Sequence, residues 1–295
     1  MRRNLLRKFS PIIPDRQFVK WMYKIETGKK LNLKNPVTMN EKLQWLKLYN
    51  RRPEYTTIVD KIDVKEYIAA RIGAKYIVPT LAVWNSTNDI DLETLPQQFV
   101  LKTNHSGGNK GVIICKDKNS LNMEETINKL NKSLRTDLHR NYREWPYKNV
   151  KKRIFAEMYL GDDLVDYKFY CYNGSVDAVL LCIDRQAGSP KFYFFDREWN
   201  LKRYNKRGKE APEGFTLPKP SNMEKMFELA SELSKGIPFV RVDFYNVDGK
   251  IYFGEMTFFP ASGYDTKRLP ESDLLFGNMI DLSLAYNSAA VCQQR

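Results

Sequence analysis

Two acidic residues in the segment 239–263 are candidate ligands for a divalent cation. The segment alternates as two strands around Val247-Asp248-Gly249, with Asp243 on the first strand and Glu255 on the second. Whether the two carboxylates meet depends on the turn, because a shift of one residue sends every side chain of one strand to the opposite face. A two-residue turn would separate the acids, so the proposed chemistry depends first on the register of this hairpin.

We predict a three-residue loop with Gly249 in the left-handed conformation, which pairs Asn246 with Lys250. That register puts the polar side chains on one face together with three aromatic ones: Arg241, Asp243, Glu255, Thr257, Phe239, Tyr245 and Phe253. The other face is apolar and suits a core: Val240, Val242, Phe244, Tyr252, Met256 and Phe258.

The polar face suits a metal site for chemical reasons. Carboxylates a few ångströms apart repel each other unless a cation or a proton lies between them. Ligands that are all oxygen favour Mg2+ or Mn2+, and Mg2+ takes one or two protein carboxylates while keeping positions for water and phosphate oxygens. Arg241 would then face a transferred phosphate. The alternative from the hairpin alone is a solvated face on which Arg241 forms a salt bridge with Glu255 and no ligand binds.

A second candidate site is the glycine-rich loop 105–111, which lies between two short strands. Lys102 ends the first strand, and Val112–Cys115 forms the second. A Walker loop or a dinucleotide-binding loop has to open a helix, so this strand-loop-strand pattern excludes both. Glycines allow backbone N–H groups to approach an anion, and Lys102 adds positive charge beside them. The loop could therefore cover a phosphate, or it could be an ordinary mobile hairpin.

The elements that would position these sites are helical at first and rich in strands later. Three helices are predicted near the N-terminus: Asp15–Thr27, one that starts at the capping box of Thr38 and Glu41, and one at 60–72 stopped by Gly73. Further strands are predicted at 154–160, at Asp166–Tyr172 and, after the turn Asn173-Gly174, at 176–185. A basic loop at 200–221 and a helix at 223–235 lead into the hairpin. This order predicts an α+β protein with lobes around a cleft.

The composition is that of a globular protein with an anionic partner. The 295 residues are 42% hydrophobic and 28% charged, and the net charge is +13. No apolar run reaches the roughly 20 residues that cross a bilayer, and the basic residues form no helix-turn-helix or RNA-recognition pattern. We therefore expect a cytosolic protein for which nucleic acid is an unlikely partner, and whose basic N-terminus makes at most weak contact with a membrane surface. The cysteines form no CxxC pair, which argues against structural zinc.

Taken together, these motifs in their order resemble the ATP-grasp superfamily, and most closely its TupA-like branch, which is named for teichuronopeptide biosynthesis. The resemblance runs from Asn40 to Gly263. It implies an α+β fold in which two lobes hold ATP between small antiparallel sheets, preceded by a helical N-terminal region. The implied division is a helical region at 1–95, a small lobe with the glycine flap at 96–158, and a large lobe with the metal site at 159–295.

The resemblance also implies roles for particular residues. The phosphates of ATP would be held by Lys102 and the flap residues Ser106, Gly107 and Gly108, and the adenine by the backbone of the hinge residues Glu157, Met158, Tyr159 and Leu160. Asp166 and Lys168 match an Asp-x-Arg pattern, with lysine in place of arginine, and would contact the nucleotide; Arg185 matches a later arginine. Asp243 and Glu255 match Mg2+ ligands, with Mn2+ as an alternative ion. Thr257 stands where the superfamily usually has asparagine, so it would be a weaker ligand.

The implied chemistry is ATP-dependent amide formation. A substrate carboxylate is phosphorylated and an amine attacks the resulting acyl phosphate, while Lys168, Arg185 and Arg241 neutralise the charge that develops. The TupA-like relatives imply a uronic acid of a cell-surface polysaccharide as the carboxylate and an amino acid as the amine. Two alternatives stay open: a glycosyltransferase or sugar kinase of polysaccharide biosynthesis, and a non-enzymatic basic module that binds anions through its charge.

Overall fold

The computed structural model describes residues 2–108, 110–162, 164–184 and 190–285. The helices are α1 (Arg2–Lys8), α2 (Asp15–Thr27), α3 (Met39–Tyr49), α4 (Glu54–Val59), α5 (Val64–Ile72), α6 (Met123–Leu134), α7 (Leu138–Tyr142), α8 (Lys206–Glu210), α9 (Met223–Ser234) and α10 (Pro270–Met279). The strands are β1 (Thr80–Trp84), β2 (Phe99–Thr103), β3 (Val112–Cys115), β4 (Ile154–Met158), β5 (Asp166–Tyr172), β6 (Ser175–Ile183), β7 (Lys191–Phe195), β8 (Leu201–Lys202), β9 (Val240–Val247) and β10 (Lys250–Thr257). These strands form two antiparallel sheets, which confirms the predicted α+β class.

The N-terminal region is helical as predicted, and local side-chain contacts explain where its helices begin. The Thr38 hydroxyl accepts a hydrogen bond from the Glu41 amide, and the Glu41 carboxylate accepts one from the Thr38 amide, so α3 starts at this capping box. The third predicted helix is shorter than expected. Residues 60–63 form a turn, because the Asp60 carboxylate accepts a hydrogen bond from the Ile62 amide at 2.9 Å, and α5 begins only at Val64.

The smaller sheet has four strands in the order β1-β4-β2-β3. β2 and β3 flank the glycine loop, and Lys102 lies opposite Val112, as expected for a loop that joins two paired strands. β1 pairs with β4 at the other edge of the sheet. β1 precedes residue 96, so the sheet includes residues of the region 1–95 that was predicted to be helical.

The larger sheet has six strands in the order β10-β9-β5-β6-β7-β8. The predicted Asn173-Gly174 turn joins β5 to β6, and its two residues have positive φ values of 48° and 87°. Asparagine and glycine tolerate this left-handed backbone better than other residues. α9 packs against β5, β6 and β9. The sheet thus forms a supported platform on which β9 and β10 carry the candidate metal ligands.

The predicted turn of the β9–β10 hairpin is wrong. Val247 pairs with Lys250, so Asp248 and Gly249 form a two-residue turn with φ values of 50° and 77°. Asp-Gly is favoured in such a turn because both residues adopt left-handed backbone, whose twist matches that of the flanking strands. If the two strands stayed paired in this register along their whole length, Asp243 and Glu255 would lie on opposite faces of the sheet.

A β-bulge at Gly254 brings the acids back together, so the prediction that Asp243 and Glu255 share one face with Arg241 and Thr257 is right. Phe253 lies opposite Phe244 on one side of the bulge, and Glu255 lies opposite Asp243 on the other. The extra residue shifts the register by one. A Cβ at position 254 would lie 3.1 Å from the Asp243 carbonyl oxygen, so glycine suits the close approach of the backbones. Two residues before the bulge differ from their predicted faces. Phe253 lies opposite Phe244 and its buried ring contacts that of Phe244, whereas Tyr252, predicted on the apolar face, lies opposite Tyr245.

Two hydrophobic cores occur in the described residues. The larger joins the N-terminal helices to the six-stranded sheet, with Leu43 and Val242 in one cluster. The smaller lies against the four-stranded sheet and includes Phe99 and Leu130. The helical region therefore shares its core with the large lobe. A cleft between the two sheets is lined by Lys61, Lys65, Ile77, Val78, Lys102, Gly108, Val112, Phe155, Glu157, Asp166, Asp243, Tyr245, Phe253, Gly254 and Glu255.

Candidate active site

Three acids and three cations form one network at the large-lobe side of the cleft, here called the charge cluster: Asp166, Asp243, Glu255, Lys168, Arg241 and Lys61. Lys168 Nζ lies 2.5 Å from an oxygen of Asp166 and 2.5 Å from an oxygen of Asp243. Arg241 donates to both oxygens of Asp243, at 2.6 and 2.7 Å, and to Glu255 at 3.0 Å. Lys61 donates to the second oxygen of Glu255 at 3.0 Å. The predicted metal ligands and two of the predicted catalytic cations thus meet.

Strand register explains why these side chains converge. Lys168 on β5 lies directly opposite Asp243 on β9, and Glu255 on β10 lies opposite Asp243 from the other side. Because side chains alternate along a strand, Asp166 points the same way as Lys168, and Arg241 the same way as Asp243. Three adjacent strands therefore carry most of the charge cluster on one face of the sheet.

Ion pairing favours the charged forms of Glu255 and Lys168, whereas burial outweighs the neighbouring cations at Asp243 and raises the pKa of that carboxyl. Burial opposes the charge on Glu255, but Lys61 and Arg241 outweigh it and hold the pKa of Glu255 well below its usual range. Burial also opposes the charge on Lys168, yet the two acids bonded to it raise the pKa of its ammonium group. The cations of the network therefore hold Glu255 ionised, and Asp243 is the acid of the network whose charge is opposed most by burial.

The charge cluster fits a Mg2+ site to which the protein supplies few ligands. Asp243 and Glu255 present carboxylates side by side on one face of the hairpin, and oxygen donors of this kind suit Mg2+ or Mn2+. In the described ranges, no group of three or more acidic, histidine or cysteine side chains is arranged to hold a metal. Water and phosphate oxygens would therefore complete the coordination, and a metal ion would compete with the cations of the cluster for the carboxylate oxygens.

Thr257 lies beside the predicted metal ligands with its hydroxyl already engaged. Arg241 donates to Thr257 Oγ1 at 3.0 Å, and the same hydroxyl donates to a Glu255 oxygen at 3.4 Å. These contacts let Thr257 orient the Glu255 carboxylate. Its predicted role as a direct metal ligand stays a prediction.

A second group of charges lies at the small-lobe side of the cleft. Glu157 is buried, and its two oxygens accept hydrogen bonds from Lys65 at 2.6 Å and from Lys102 at 2.5 Å. Burial opposes the charge on Glu157, but the two lysines outweigh it and lower its pKa. Two ammonium groups on one carboxylate leave a net positive charge, so this side of the cleft favours an anion.

Hydrogen bonds hold the base of the glycine flap together, whereas the glycines at its tip are exposed. The buried Ser106 hydroxyl donates to the Lys110 carbonyl oxygen at 2.6 Å and accepts from the Thr103 hydroxyl at 2.7 Å. Ser106 therefore holds the loop together instead of facing the cleft. Gly107 and Gly108 are exposed, and Gly108, with a φ of 63°, lines the cleft. Among the flap residues that the structure describes, Gly108 therefore has its backbone in position to contact a ligand in the cleft.

The predicted hinge at 157–160 follows the end of β4. The Met158 amide donates to the Pro79 carbonyl oxygen at 3.1 Å, so this N–H already has a partner within the protein. The Tyr159 hydroxyl donates to Asp162 at 2.6 Å. The Met158 N–H is therefore already occupied, and the predicted contact of the 157–160 backbone with adenine stays a prediction. Arg185, another predicted site residue, lies outside the described residues.

Sequence reasoning missed Lys61 and Lys65, which come from the turn and helix that follow Asp60. The Lys61 amide donates to the Asn104 carbonyl oxygen at 3.0 Å. The Asp60 carboxylate accepts from the side chains of Asn104 at 2.7 Å and Arg153 at 2.9 Å, which ties this turn to the root of the flap. The four-residue spacing of Lys61 and Lys65, which places them on one side of a helical segment, was the available sequence signal.

Two antiparallel sheets enclose a cleft in which lysines of one lobe face an ion-paired aspartate and glutamate of the other, an arrangement consistent with the ATP-grasp resemblance of the motifs. A sequence profile of the TupA-like ATPgrasp family matches residues 41–281. The chain belongs to that family, and the resemblance noted from its motifs is confirmed. It is accordingly an ATP-dependent ligase of the ATP-grasp type whose cofactors are ATP and Mg2+.

Several solved structures resemble the chain at low sequence identity. A D-alanine–D-alanine ligase from Bacillus anthracis is 18% identical with a TM-score of 0.46, over 79% of this chain and 70% of that chain. The D-alanine–D-alanine ligase from Helicobacter pylori is 15% identical with a TM-score of 0.47, over 82% and 68%. An N5-carboxyaminoimidazole synthetase from Staphylococcus aureus, complexed with ADP, is 14% identical with a TM-score of 0.48, over 84% and 59%. No curated protein matches the chain. The family assignment therefore depends on the sequence profile.

Proposed function

We propose that the cleft binds ATP with its phosphates toward the charge cluster, and that the protein phosphorylates a carboxylate and joins it to an amine. The observation that carries this proposal is the placement of Lys61, Lys65 and Lys102 in one cleft, each bonded to an ionised acid. Ammonium groups in such a cleft can exchange a carboxylate for a phosphate oxygen, which is an equally good acceptor. Charged groups with perturbed pKa values in a cleft are typical of functional sites.

In the proposed reaction, the γ-phosphoryl group passes to an oxygen of the substrate carboxylate, which gives ADP and an acyl phosphate. The amine nitrogen then bonds to the carbonyl carbon, the bond from that carbon to the phosphate oxygen breaks, and the amine loses a proton. Mg2+ held by Asp243 and Glu255 would neutralise phosphate charge. The physical difficulty is that two anions must approach each other, so the protein has to supply positive charge around them.

The cations of the large lobe are placed to do this. Lys168 is fixed between two acids, and Arg241 is fixed against Asp243 and Glu255, so both are held rigidly before a ligand arrives. We propose that they neutralise the charge that develops on the transferred group. Arg185 stays a predicted third cation. Lys61, which donates to Glu255 in this structure, would donate to a phosphate oxygen in the loaded site.

The small lobe would hold the rest of the nucleotide. Lys65 and Lys102 would bind phosphate oxygens, because they already share one buried carboxylate and carry the excess positive charge of that side. The Gly108 backbone would close over the phosphates and exclude water, which would otherwise hydrolyse the acyl phosphate. The backbone up to Leu160 would contact the adenine. Since the reaction needs ATP, we propose that the protein works in the cytosol.

We further propose that the carboxylate belongs to a uronic acid of a cell-surface polysaccharide and that the amine is an amino acid. The family name refers to such a product, and the net charge of +13 favours an anionic substrate. The basic loop adds local support. Arg203 donates to the carbonyl oxygens of Gly208 and Lys209, at 2.9 and 3.1 Å, which orders the loop. The segment 200–221 is not a continuous loop as predicted, because it contains β8 and α8. Lys206 and Arg207 lie exposed on α8, and exposed cations on an ordered segment suit an acidic polymer.

The test is ADP release in the presence of ATP, Mg2+, a uronic-acid oligosaccharide and a mixture of amino acids, followed by mass spectrometry of the oligosaccharide. We expect ADP release to require both substrates, and the product to gain the mass of an amino acid less one water. A neutral oligosaccharide of equal length is the control. If ATP binds but uronic acids do not stimulate ADP release, the glycan assignment is wrong while the nucleotide site stands.

Two other outcomes would support a different function for the protein. ADP release that needs a sugar but no amine, with a phosphorylated product, would identify a sugar kinase. Anion binding that disappears with added salt and is indifferent to ATP and Mg2+ would identify a basic binding module.

A further inference from the structure

α1 and the turn after it expose three large apolar side chains to solvent. Leu5, Phe9 and Ile12 are 57%, 47% and 79% exposed, whereas Leu6 is buried. The Phe9 amide donates to the Leu5 carbonyl oxygen at 3.2 Å, and the Ile12 amide donates to the Phe9 carbonyl oxygen at 3.2 Å. Successive residues of this set are therefore one helical turn apart and lie on one side. We call Leu5, Phe9 and Ile12 the apolar ridge.

The apolar ridge is fixed to the body of the protein. Ser10, in the middle of the segment, is buried, and its hydroxyl donates to the Arg140 carbonyl oxygen at 2.7 Å. The buried Arg143 donates to the Ser10 hydroxyl at 2.5 Å, to its carbonyl oxygen at 2.6 Å and to the Ile13 carbonyl oxygen at 3.0 Å. The exposed side chains are thus held outward by a polar anchor, and ordering them on a partner costs little additional entropy.

A basic pocket adjoins the ridge on the same helix. Its lining residues are Asn4, Arg7, Lys8, Arg135, Asp137, Arg140, Asn141 and Lys152. Five of these described residues are cations and one is an acid. That acid, Asp137, accepts a hydrogen bond from the Arg140 amide at 2.7 Å and so caps α7. Of the neighbouring acids, Glu26 pairs with Arg3 at 2.8 Å. The pocket is therefore suited to phosphate groups.

We propose that the apolar ridge and the basic pocket together dock this protein on a membrane that contains anionic lipid. Headgroup phosphates would enter the pocket, and Leu5, Phe9 and Ile12 would enter the boundary between headgroups and acyl chains. An anionic bilayer matches both features, because a short segment with exposed apolar residues beside several cations binds at such an interface. A soluble phosphate would leave the ridge in water. Every helix in the described residues is too short or too polar to cross a bilayer, so the contact would be peripheral.

The proposal is independent of the ligase reaction and is tested by sedimentation of the full chain with lipid vesicles. We expect binding to vesicles that contain phosphatidylglycerol and none to vesicles of phosphatidylcholine alone. Salt should weaken the binding, because it screens the pocket from the headgroups. The double variant Phe9→Ser and Ile12→Ser should bind at least about tenfold more weakly, and Lys8→Gln with Arg140→Gln should also lose affinity.

The matched control is Leu274→Ser with Leu275→Ser on α10, which are 43% and 39% exposed, and which should leave vesicle binding unchanged. Failure of the wild type to bind phosphatidylglycerol vesicles at low salt would overturn the proposal, as would an equal loss in the control. Size-exclusion chromatography tests the alternative that the apolar ridge is a contact between two copies of this chain. If the ridge variant converts a dimer to a monomer and vesicles are not bound, the ridge is a contact between copies of this chain, and the membrane proposal is wrong.

Discussion

Replacing Lys168 by methionine tests how the charge cluster is balanced. Lys168 Nζ lies 2.5 Å from an oxygen of Asp166 and 2.5 Å from an oxygen of Asp243. These are the shortest ion-pair distances in the charge cluster. Methionine keeps much of the volume but removes the charge. Asp166 and Asp243 then lose the ammonium group that they share, Asp243 keeps its bonds from Arg241, and the cluster has one positive charge fewer. We expect the folded protein to lose stability and, at the same time, to gain affinity for a divalent cation.

The expected magnitudes follow from the burial of the pair. Removing one partner of a buried ion pair costs about 3–5 kcal/mol. For a chain of this size, each kcal/mol lowers the thermal midpoint by about 2 °C, so Lys168→Met should unfold about 6–10 °C below the wild type. Mg2+ without nucleotide should restore part of this loss, since an ion at ten times its dissociation constant stabilises by about 1.4 kcal/mol. The wild type should respond less, because its carboxylates already have cationic partners.

The assay is differential scanning calorimetry with and without Mg2+, with the variant checked for folding by circular dichroism. Lys225→Met is the matched control, because Lys225 forms an exposed pair with Glu228 at 2.6 Å, and we expect the variant to unfold at the wild-type temperature. If Lys168→Met unfolds at the same temperature as the wild type, or if Mg2+ stabilises both proteins equally, the charge cluster does not act as described.

Three further changes have definite expected results. Gly111→Ala should lower the free energy of unfolding by about 2 kcal/mol or more in chemical denaturation, because the Gly111 backbone is left-handed and a Cβ there would lie 2.2 Å from Ser133 Oγ. Gly107→Ala is the control, because a Cβ at position 107 meets no atom within 4 Å. Equal losses of stability in the two variants would contradict the reasoning. Burial, with Lys152 nearby, lowers the pKa of His105 to about 4, so the unfolded chain takes up the proton first as the pH falls below about 6.5. The free energy of unfolding should therefore drop by about 2 kcal/mol between pH 8 and pH 5. If His105→Gln shows the same pH dependence as the wild type, His105 is not the group responsible. Lys61→Met should weaken ATP binding about tenfold in calorimetric titration, since one charge-assisted bond to phosphate is lost; affinity equal to that of Lys225→Met would exclude Lys61 from the phosphate site.

Local features of the fold were predictable where one or two residues determine the backbone. The capping box of Thr38 and Glu41 starts α3, and Asn173-Gly174 turns β5 into β6, as their types predict. The β9–β10 hairpin is more instructive. The prediction put one extra residue in the turn, whereas the chain puts it in the strand at Gly254. An isolated glycine in a strand is a signal for a bulge, but the alternation of side chains alone does not say where the register shifts.

The composition of the site was only partly predictable, because its partners come from distant parts of the chain. Alternation along two strands was enough to bring Asp243 and Glu255 together. Lys61 and Glu255, by contrast, are separated by 194 positions, and Lys65 and Glu157 by 92. No local pattern indicates which lysine reaches which acid. That choice is made when the N-terminal helices pack into the core of the large sheet, and it depends on the whole tertiary structure.

The most direct measurement is the thermal midpoint with ATP and Mg2+ together, for the wild type and for Glu255→Gln. Glutamine keeps the size of the side chain but removes the charge that would hold the metal, and Glu228→Gln, on an exposed helix face, is the control. We predict a rise in the midpoint of the wild type that requires both ATP and Mg2+, that is strongly reduced in Glu255→Gln, and that persists in the control. No rise in the wild type at saturating nucleotide, or an equal rise in Glu255→Gln, would contradict the assignment of the ATP and metal site to this hairpin.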